Sequence, residues 1–270
     1  MGADTRSGFR VTPAEVIGAL NDVESKYAPP QLLLAGKRDL LRRGRRVSVI
    51  GSRKASWEGL RRARILARSL VEHGIVVVSG LAAGVDRAAH EAAIASGGRT
   101  IAVIGTPLGR CYPRENSELQ TRIAREQLLI SQFPAGHPVT PKNFLTRNRT
   151  MALLTDASVI VEPGEKSGAL FQGWEALRLG RLVFLLESIA AHPTLSWPKE
   201  MIRYGAQVLS RDNLEIALEN LPAFTTPTTV GLGSLSASTA AVAASIARRS
   251  DSSTASPEQT VTPEGFNHSV

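Results

Sequence analysis

The sequence predicts an α/β protein of the extended Rossmann-like type, with a doubly wound, mainly parallel sheet and helices on both faces. Three observations point there. Short all-apolar runs recur along the chain, each stopped by a glycine or a polar residue. Stretches with apolar residues at helical spacing lie between them. After residue 221 this alternation gives way to a segment rich in Ser, Thr, Ala and Pro. A strand covered on both faces is apolar at nearly every position, whereas a helix lying on a sheet needs only one apolar stripe. Strands and amphipathic helices in alternation therefore indicate layers of helix, sheet and helix.

Residues 1–26 read as a short N-terminal helical segment, with a polar start and a helical pattern from Pro13 to Val23. Tyr27 to Gly36 reads as an extended lead-in to the main domain, which is expected over 27–221. Val47–Ile50 is a first short strand ended by Gly51. Ser56–His73 carries Leu60, Ala63, Leu66, Ala67 and Leu70 at helical spacing, with arginines on the other face. Gly74 ends that helix, and Ile75–Val78 is the next strand. Helix Val85–Ser96, strand Thr100–Ile104, helix Arg114–Arg125 and strand Leu128–Ser131 follow. The pattern closes with helix Asn148–Leu154, strand Ser158–Val161, helix Ala169–Leu179 and strand Leu182–Leu186. Residues 222–270 hold too little apolar surface to offset their ordering entropy and are expected to form a disordered tail. Right-handed crossovers would line up the strand-to-helix turns along one edge, where such sheets bind ligands.

Composition narrows the partners. Of 270 residues, 43% are hydrophobic and 21% charged, as in ordinary globular proteins. The net charge is +8. Between Gly36 and Arg68 stand twelve Lys or Arg residues against only Asp39 and Glu58. A well-solvated basic surface is the plain explanation; nucleic-acid phosphate is the sharper one, because clustered cations release its counterions on binding. No apolar stretch is long enough to cross a bilayer and the first residues show no signal-peptide core, so the reading is cytoplasmic and no membrane is expected. Cys111 is the single cysteine, which leaves no internal disulfide and no cysteine-cluster zinc site. No metal, no cofactor and no catalytic residue is assigned.

Five turns meet at the expected edge. Gly51-Ser52-Arg53 follows the first strand and offers a tight turn, free amides, a hydroxyl and a cation to an anion. It lacks the G-x-G-x-x-G spacing of a dinucleotide fingerprint. Ser79-Gly80, with Gly84 and Asp86, follows the second strand and reads as a close backbone approach to phosphate or as a packed turn. His90, one helical turn after Asp86, reads as structural, since no second ligand stands at metal spacing. Tyr112-Pro113-Arg114-Glu115-Asn116 looks like helix-start chemistry. A long loop is expected to present Lys142, Phe144, Arg147, Asn148 and Arg149 just before and into a helix, where arginines hold phosphates and Phe144 either stacks on a base or anchors the loop. Ser167 and Gly168 open the last helix as another anion-ready turn.

Taken together, these residues resemble the DprA/Smf family of DNA-processing proteins. The resemblance is carried by Gly51-Ser52-Arg53; Ser79-Gly80-Leu81-Ala82 with Gly84, Asp86, Ala89 and His90; Gly98 to Val103; Tyr112 to Asn116; Phe133-Pro134; Phe144 with Arg147-Asn148-Arg149; and Val161-Glu162 with Ser167-Gly168. It covers about Tyr27 to Leu186. It implies a domain that binds single-stranded DNA without sequence preference, forms homodimers, loads a RecA-type recombinase and assists natural transformation. The pocket it implies comprises Gly51, Ser52, Arg53, Phe144, Arg147 and Arg149, with Lys142 as the accompanying lysine. Many relatives carry an N-terminal helical domain and a C-terminal winged helix; residues 1–26 look too short for the first, and the polar tail stands in place of the second. Two other classes share the architecture. One is a nucleotide-binding sensor. The other is a nucleotide phosphoribohydrolase of the LOG type, whose Pro-Gly-Gly-x-Gly-Thr-x-x-Glu turn is absent here, although Glu162 or Glu175 can be imagined as an acid.

Overall fold

A computed structural model describes residues 9–42, 44–163 and 167–223. In chain order the elements are β1 (Phe9–Val11), α1 (Pro13–Ile17), α2 (Asp22–Tyr27), β2 (Leu32–Gly36), β3 (Arg46–Gly51), α3 (Trp57–Glu72), β4 (Val76–Ser79), α4 (Val85–Ala95), β5 (Thr100–Ile104), α5 (Ser117–Glu126) and β6 (Leu128–Ser131). They continue with α6 (Pro141–Leu153), β7 (Ala157–Glu162), α7 (Gly168–Arg178), β8 (Leu182–Leu186), α8 (Glu187–Ala190), α9 (Trp197–Arg203), β9 (Gln207–Leu209) and α10 (Leu214–Glu219). The strands make one sheet in the order β1-β2-β6-β5-β4-β3-β7-β8-β9. From β6 to β9 all neighbours are parallel; the β1–β2 and β2–β6 pairings are antiparallel, so β2 alone runs against the other strands. The expected α/β, doubly wound, mainly parallel architecture is therefore present.

Each strand sends alternate residues to opposite faces. On one face Val47, Val49, Val77 and Val159 pack under Leu66 and Leu70 of α3 and Ala88 and Ala92 of α4. Ala102, Ile104 and Leu129 meet Ile123 of α5. On the other face Val78, Ile101, Val103 and Ile130 pack against Met151 of α6 and Leu170 of α7. Burial on both sides is why these strands read as unbroken apolar runs.

The N-terminal pattern resolves differently from the single helix expected over Pro13–Val23. Thr12 and Asn21 each build a complete capping box, with Glu15 and Glu24 respectively, so two helix starts fall inside one run. Gly18, at φ 88°, ends the first. The extended lead-in contains β2, which pairs with β6 and carries β1 at its edge. Beyond Leu186 the elements α8 to α10 and β9 extend the sheet by one parallel strand that the sequence pattern does not announce. The tail segment 224–270 lies outside the described residues. Among the described residues no helix is long and apolar enough to cross a membrane.

At the N-terminal ends of the central strands sits a buried ionic group. Arg46, almost wholly buried at the start of β3, donates from its guanidinium to Leu41 O at 2.9 Å, and its amide donates to Asp156 Oδ2 at 2.7 Å. Burial lowers its pKa to about 10, against the opposing pull of Asp156. Beside it, Arg181 before β8 pairs with Glu24 of α2 at 2.5 Å, with both side chains buried. That pair fastens the N-terminal helix to the sheet. Removing one member of a buried pair leaves an uncompensated charge, typically at a cost of about 3–5 kcal/mol. Glu24→Ala is expected to lower unfolding free energy by about 3 kcal/mol in urea titration; a change within about 0.5 kcal/mol, as at an ordinary surface site, would show that the pair does not anchor the segment.

Candidate functional site

The order of the strands makes a site before any side chain is considered. β4, β5 and β6 lie to one side of β3, and β7, β8 and β9 to the other. The chain thus reverses direction between β3 and β7, and the loops leaving their C-terminal ends part to open a crevice. A cleft of about 710 Å³ lies there, lined by the loop after β3, one flank of α6 and the start of α7.

The loop after β3 is held from both sides. Gly51 faces Glu162 across a register shift at the end of β3. Ser52 donates its amide to Glu162 O at 2.5 Å, and its hydroxyl accepts from the Lys54 amide at 3.0 Å. Val85 at the start of α4 donates its amide to Ser52 O at 3.2 Å. This approach needs Gly84, at φ 77°, because a Cβ there would run into the Ser52 carbonyl. Glu162 then fixes the next helix: its carboxylate accepts from Ser56 N at 2.7 Å and Ser56 Oγ at 2.6 Å, while Ser56 Oγ accepts from Gly59 N as the N-cap of α3. Arg53 and Lys54 are left exposed at the cleft mouth.

Residues 141–147, expected as a loop, instead form the first half of α6. The helix begins with Pro141 at its first turn, and its buried stripe is Asn143, Arg147, Thr150 and Met151. That stripe has helical spacing but polar members, so apolar periodicity does not reveal it. As a helix the segment divides its cations between faces. Phe144, Arg147 and Asn148 line the cleft, whereas Lys142 is solvent-exposed outside it. Arg149 turns the other way, its Nε 3.3 Å from Glu175 Oε1 and its guanidinium between the rings of Tyr27 and Phe171.

Phe144 is half-buried and lies against Gly105, where a Cβ would sit 2.7 Å from Cδ1. Its ring meets Tyr112 at 5.2 Å between centroids, and the Arg53 guanidinium stands 5.4 Å from its centre. Tyr112, 51% exposed, is a cleft residue that sequence reasoning took only for helix-start chemistry. An aromatic beside a strand-end turn was the available signal. At the far wall Ser167 and Gly168 begin α7, with Gly168 O accepting from Asn148 Nδ2 at 2.9 Å. Ser167 Oγ has no hydrogen-bond partner among the described residues.

Ser79 and Gly80 lie beneath the cleft and do not line it. Ser79 Oγ donates to Val49 O at 2.7 Å and stitches β4 to β3. Gly80 supplies the space over which the Arg147 guanidinium passes. Arg147 donates to Gly80 O and, at 2.7 Å, to Val103 O. Asp86 accepts from the Gly80 and Ala82 amides at 3.2 and 3.3 Å. Burial lowers the Arg147 pKa to about 10 and raises that of Asp86, each charge opposing the shift of the other. His90 completes this layer. Thr100 Oγ1 gives its only hydrogen to Val77 O, so His90 Nδ1, 2.7 Å away, donates to Thr100. Burial, with the Arg147 charge, holds the His90 pKa down at about 3.

Comparison with known proteins agrees with this geometry. The model of the DNA recombination-mediator protein A family matches residues 18–220. DNA processing protein DprA of Bacillus subtilis is 34% identical over 201 residues, which is 74% of this chain and 67% of that protein. The crystal structure of DprA from Streptococcus pneumoniae superposes with a TM-score of 0.67 at 31% identity, over 79% of this chain and 75% of that one. A Helicobacter pylori DNA processing protein A, described for its single-stranded-DNA binding mode, gives 0.65 at 26% identity, over 78% and 95% of the two chains. The chain spans 43–67% of the length of curated relatives such as these.

Two outcomes follow for the buried layer. Arg147→Ala would leave Asp86 without its countercharge and is expected to cost about 3–5 kcal/mol in chemical denaturation; a loss as small as that of the exposed Arg53→Ala, within about 0.5 kcal/mol, would contradict the assignment. The folded pKa of His90 lies below its unfolded value, so its neutral form contributes stability that is complete above about pH 6.5 and lost progressively toward about pH 3. From pH 7 to pH 5 this loss is about 2 kcal/mol. The raised Asp86 pKa pulls the other way, so the readout is the difference between wild type and His90→Gln, which should lose less on acidification. Parallel pH curves for the two proteins would exclude His90 as the source.

Proposed function

This chain belongs to the DNA recombination-mediator protein A family, and from that premise we propose that its cleft binds single-stranded DNA without sequence preference and performs no catalysis of its own. The observation that carries the proposal is the aromatic pair at the topological switch point: Phe144 and Tyr112, with Arg53 above the Phe144 ring. Every base offers a π-face, so a ring stacks on any of them, and cations at the rim hold the phosphates. Gly51 and Ser52 wall the cleft, Ser167 and Gly168 add the amides of a helix start, and the exposed Lys54 and Lys142 extend the positive rim. In this reading Arg147 and Asn148 shape the pocket from below, with Ser79 and Gly80 under them, and Arg149 steadies α6 through Glu175. The single-strand binding mode described for the Helicobacter pylori relative supports it.

Absence of catalysis is supported by the occupation of the acids that a hydrolase reading needs. The Glu162 carboxylate caps α3 through Ser56, and Glu175 pairs with Arg149 and Arg178. Asp86 is buried and faces Arg147. Beyond the cleft, the wider proposal is a cytoplasmic homodimer that protects incoming strands and hands them to a RecA-type recombinase in DNA uptake and natural transformation.

The test is fluorescence anisotropy with oligo-dT, the matching duplex and a mononucleotide across a salt series. Preference for the single strand, with log affinity falling steeply against log salt, is expected. Phe144→Ala should cost about 1–3 kcal/mol of binding with folding intact, and Arg53→Ala should weaken all sequences alike with a salt slope shallower by about 0.7. Tight, salt-insensitive mononucleotide binding without strand preference would move the cleft to the sensor or phosphoribohydrolase class.

A further inference from the structure

The single-strand cleft occupies only one end of a longer cationic surface, and α3 supplies the rest of it. Trp57, at the first position of α3, is 70% exposed, the most exposed of the large apolar side chains among the described residues. It stands four residues after Arg53, on the helix whose cap Glu162 fixes to the cleft edge. At ~100° per residue, Arg61, Arg64 and Arg68 fall within about 40° of Trp57 around the helix axis, and the line from Trp57 to Arg68 runs about 16 Å. The opposite stripe, Ala63, Leu66, Ala67 and Leu70, is the one that meets the sheet. The Arg61 guanidinium lies 5.9 Å from the Trp57 ring centre, and its contact with Glu58 is a surface ion pair at 3.6 Å. A pair of that kind holds a side chain only weakly. Nothing in the packing of α3 requires an exposed indole at its mouth-side end followed by arginines every helical turn.

We propose that α3 is a second segment of the DNA track: a strand leaving the cleft at Arg53 stacks one base on Trp57 and lays its phosphates along Arg61, Arg64 and Arg68. This rests on the cleft binding single-stranded DNA. The choice of occupant follows from continuity with the cleft mouth and from charge. Arg53, Lys54, Arg61, Arg62, Arg64 and Arg68 face only Glu58 and Glu72 on this stretch. An extended single strand spaces its phosphates at roughly twice the ~3.4 Å per-strand rise of duplex DNA, so about 16 Å adds two or three nucleotides to the bound length.

A length series of oligo-dT, bound to the full chain, tests it. Trp57 is the exposed one of three tryptophans, since Trp174 and Trp197 pack against the core, so its fluorescence reports stacking. Wild type should bind the shortest strands through the cleft alone. Affinity should then rise, with quenching, as about two or three further nucleotides are added. Trp57→Ala should keep its melting temperature and its short-strand affinity, lose the quenching, and bind the long strand roughly tenfold more weakly. Arg68→Ala should lower the salt slope by about 0.7 on long strands only. Identical length series for wild type and Trp57→Ala would overturn the second segment while leaving the cleft intact. Failure of the short strands, or their indifference to Phe144→Ala, would instead strike the cleft reading itself. A fall in molar mass on Trp57→Ala, with the length series unchanged, would assign this face to a second copy of the chain and overturn the proposal.

Discussion

Arg147 is a cation with almost no contact with water, and the carboxyl edge of the sheet is organised around it. Its guanidinium leaves α6 on one face and crosses to the carbonyls of Gly80, after β4, and Val103, in β5. Asp86, at the start of α4 on the opposite face, supplies the countercharge while accepting the amides of the β4 turn. One side chain thus ties both helical layers to the ends of two strands. A buried charge is tolerated only when its donors and its countercharge are met together, so the turn, the helix start and the position of α6 are mutually dependent. Phe144, three residues before Arg147 on the same helix, lines the cleft along the same flank.

Above this layer the cleft sets strand and helix ends against one flank of α6. Gly51 to Lys54 leave a strand, Ser167 to Ala169 begin a helix, and Tyr112 stands in a connection. The start of α7 leaves helix-end amides for an anion and the loop after β3 leaves the Arg53 and Lys54 side chains exposed, whereas the strands beneath have used both faces for packing. The rings supply an apolar, sequence-tolerant surface and the rim supplies charge. The distal ionic group of Arg46, Asp156, Arg181 and Glu24 lies at the other ends of the same strands, where it braces the sheet and attaches the N-terminal helix.

The central strands and their helices were legible because an apolar run between glycines and an amphipathic stripe each have one physical explanation in a doubly wound sheet. Thr100–Ile104, Leu128–Ser131 and Leu182–Leu186 keep the same bounds in sequence and structure. The first half of α6 was not legible, since its buried positions Asn143 and Arg147 are polar, the one satisfied by the preceding loop at Pro138 and Thr140 and the other by the distant carbonyls of Gly80 and Val103. The N-terminal helix divided because two capping boxes compete within one periodic stretch. Tyr112 escaped notice because a ring next to proline looks the same whether it packs, caps or faces a cleft.

By itself the sequence determined the layer architecture, the excess of positive charge and the set of strand-end turns, all of which follow from local composition and spacing. Only the tertiary structure decided what each cation of α6 does. Lys142, Arg147 and Arg149 differ little as residues in a string. Folding sends the first to solvent, the second into a buried pair and the third against Glu175 and two rings. The physical reason is that the fate of a charge depends on which donors, acceptors and countercharges surround it, and those here come from segments as distant in sequence as Gly80 and Arg147.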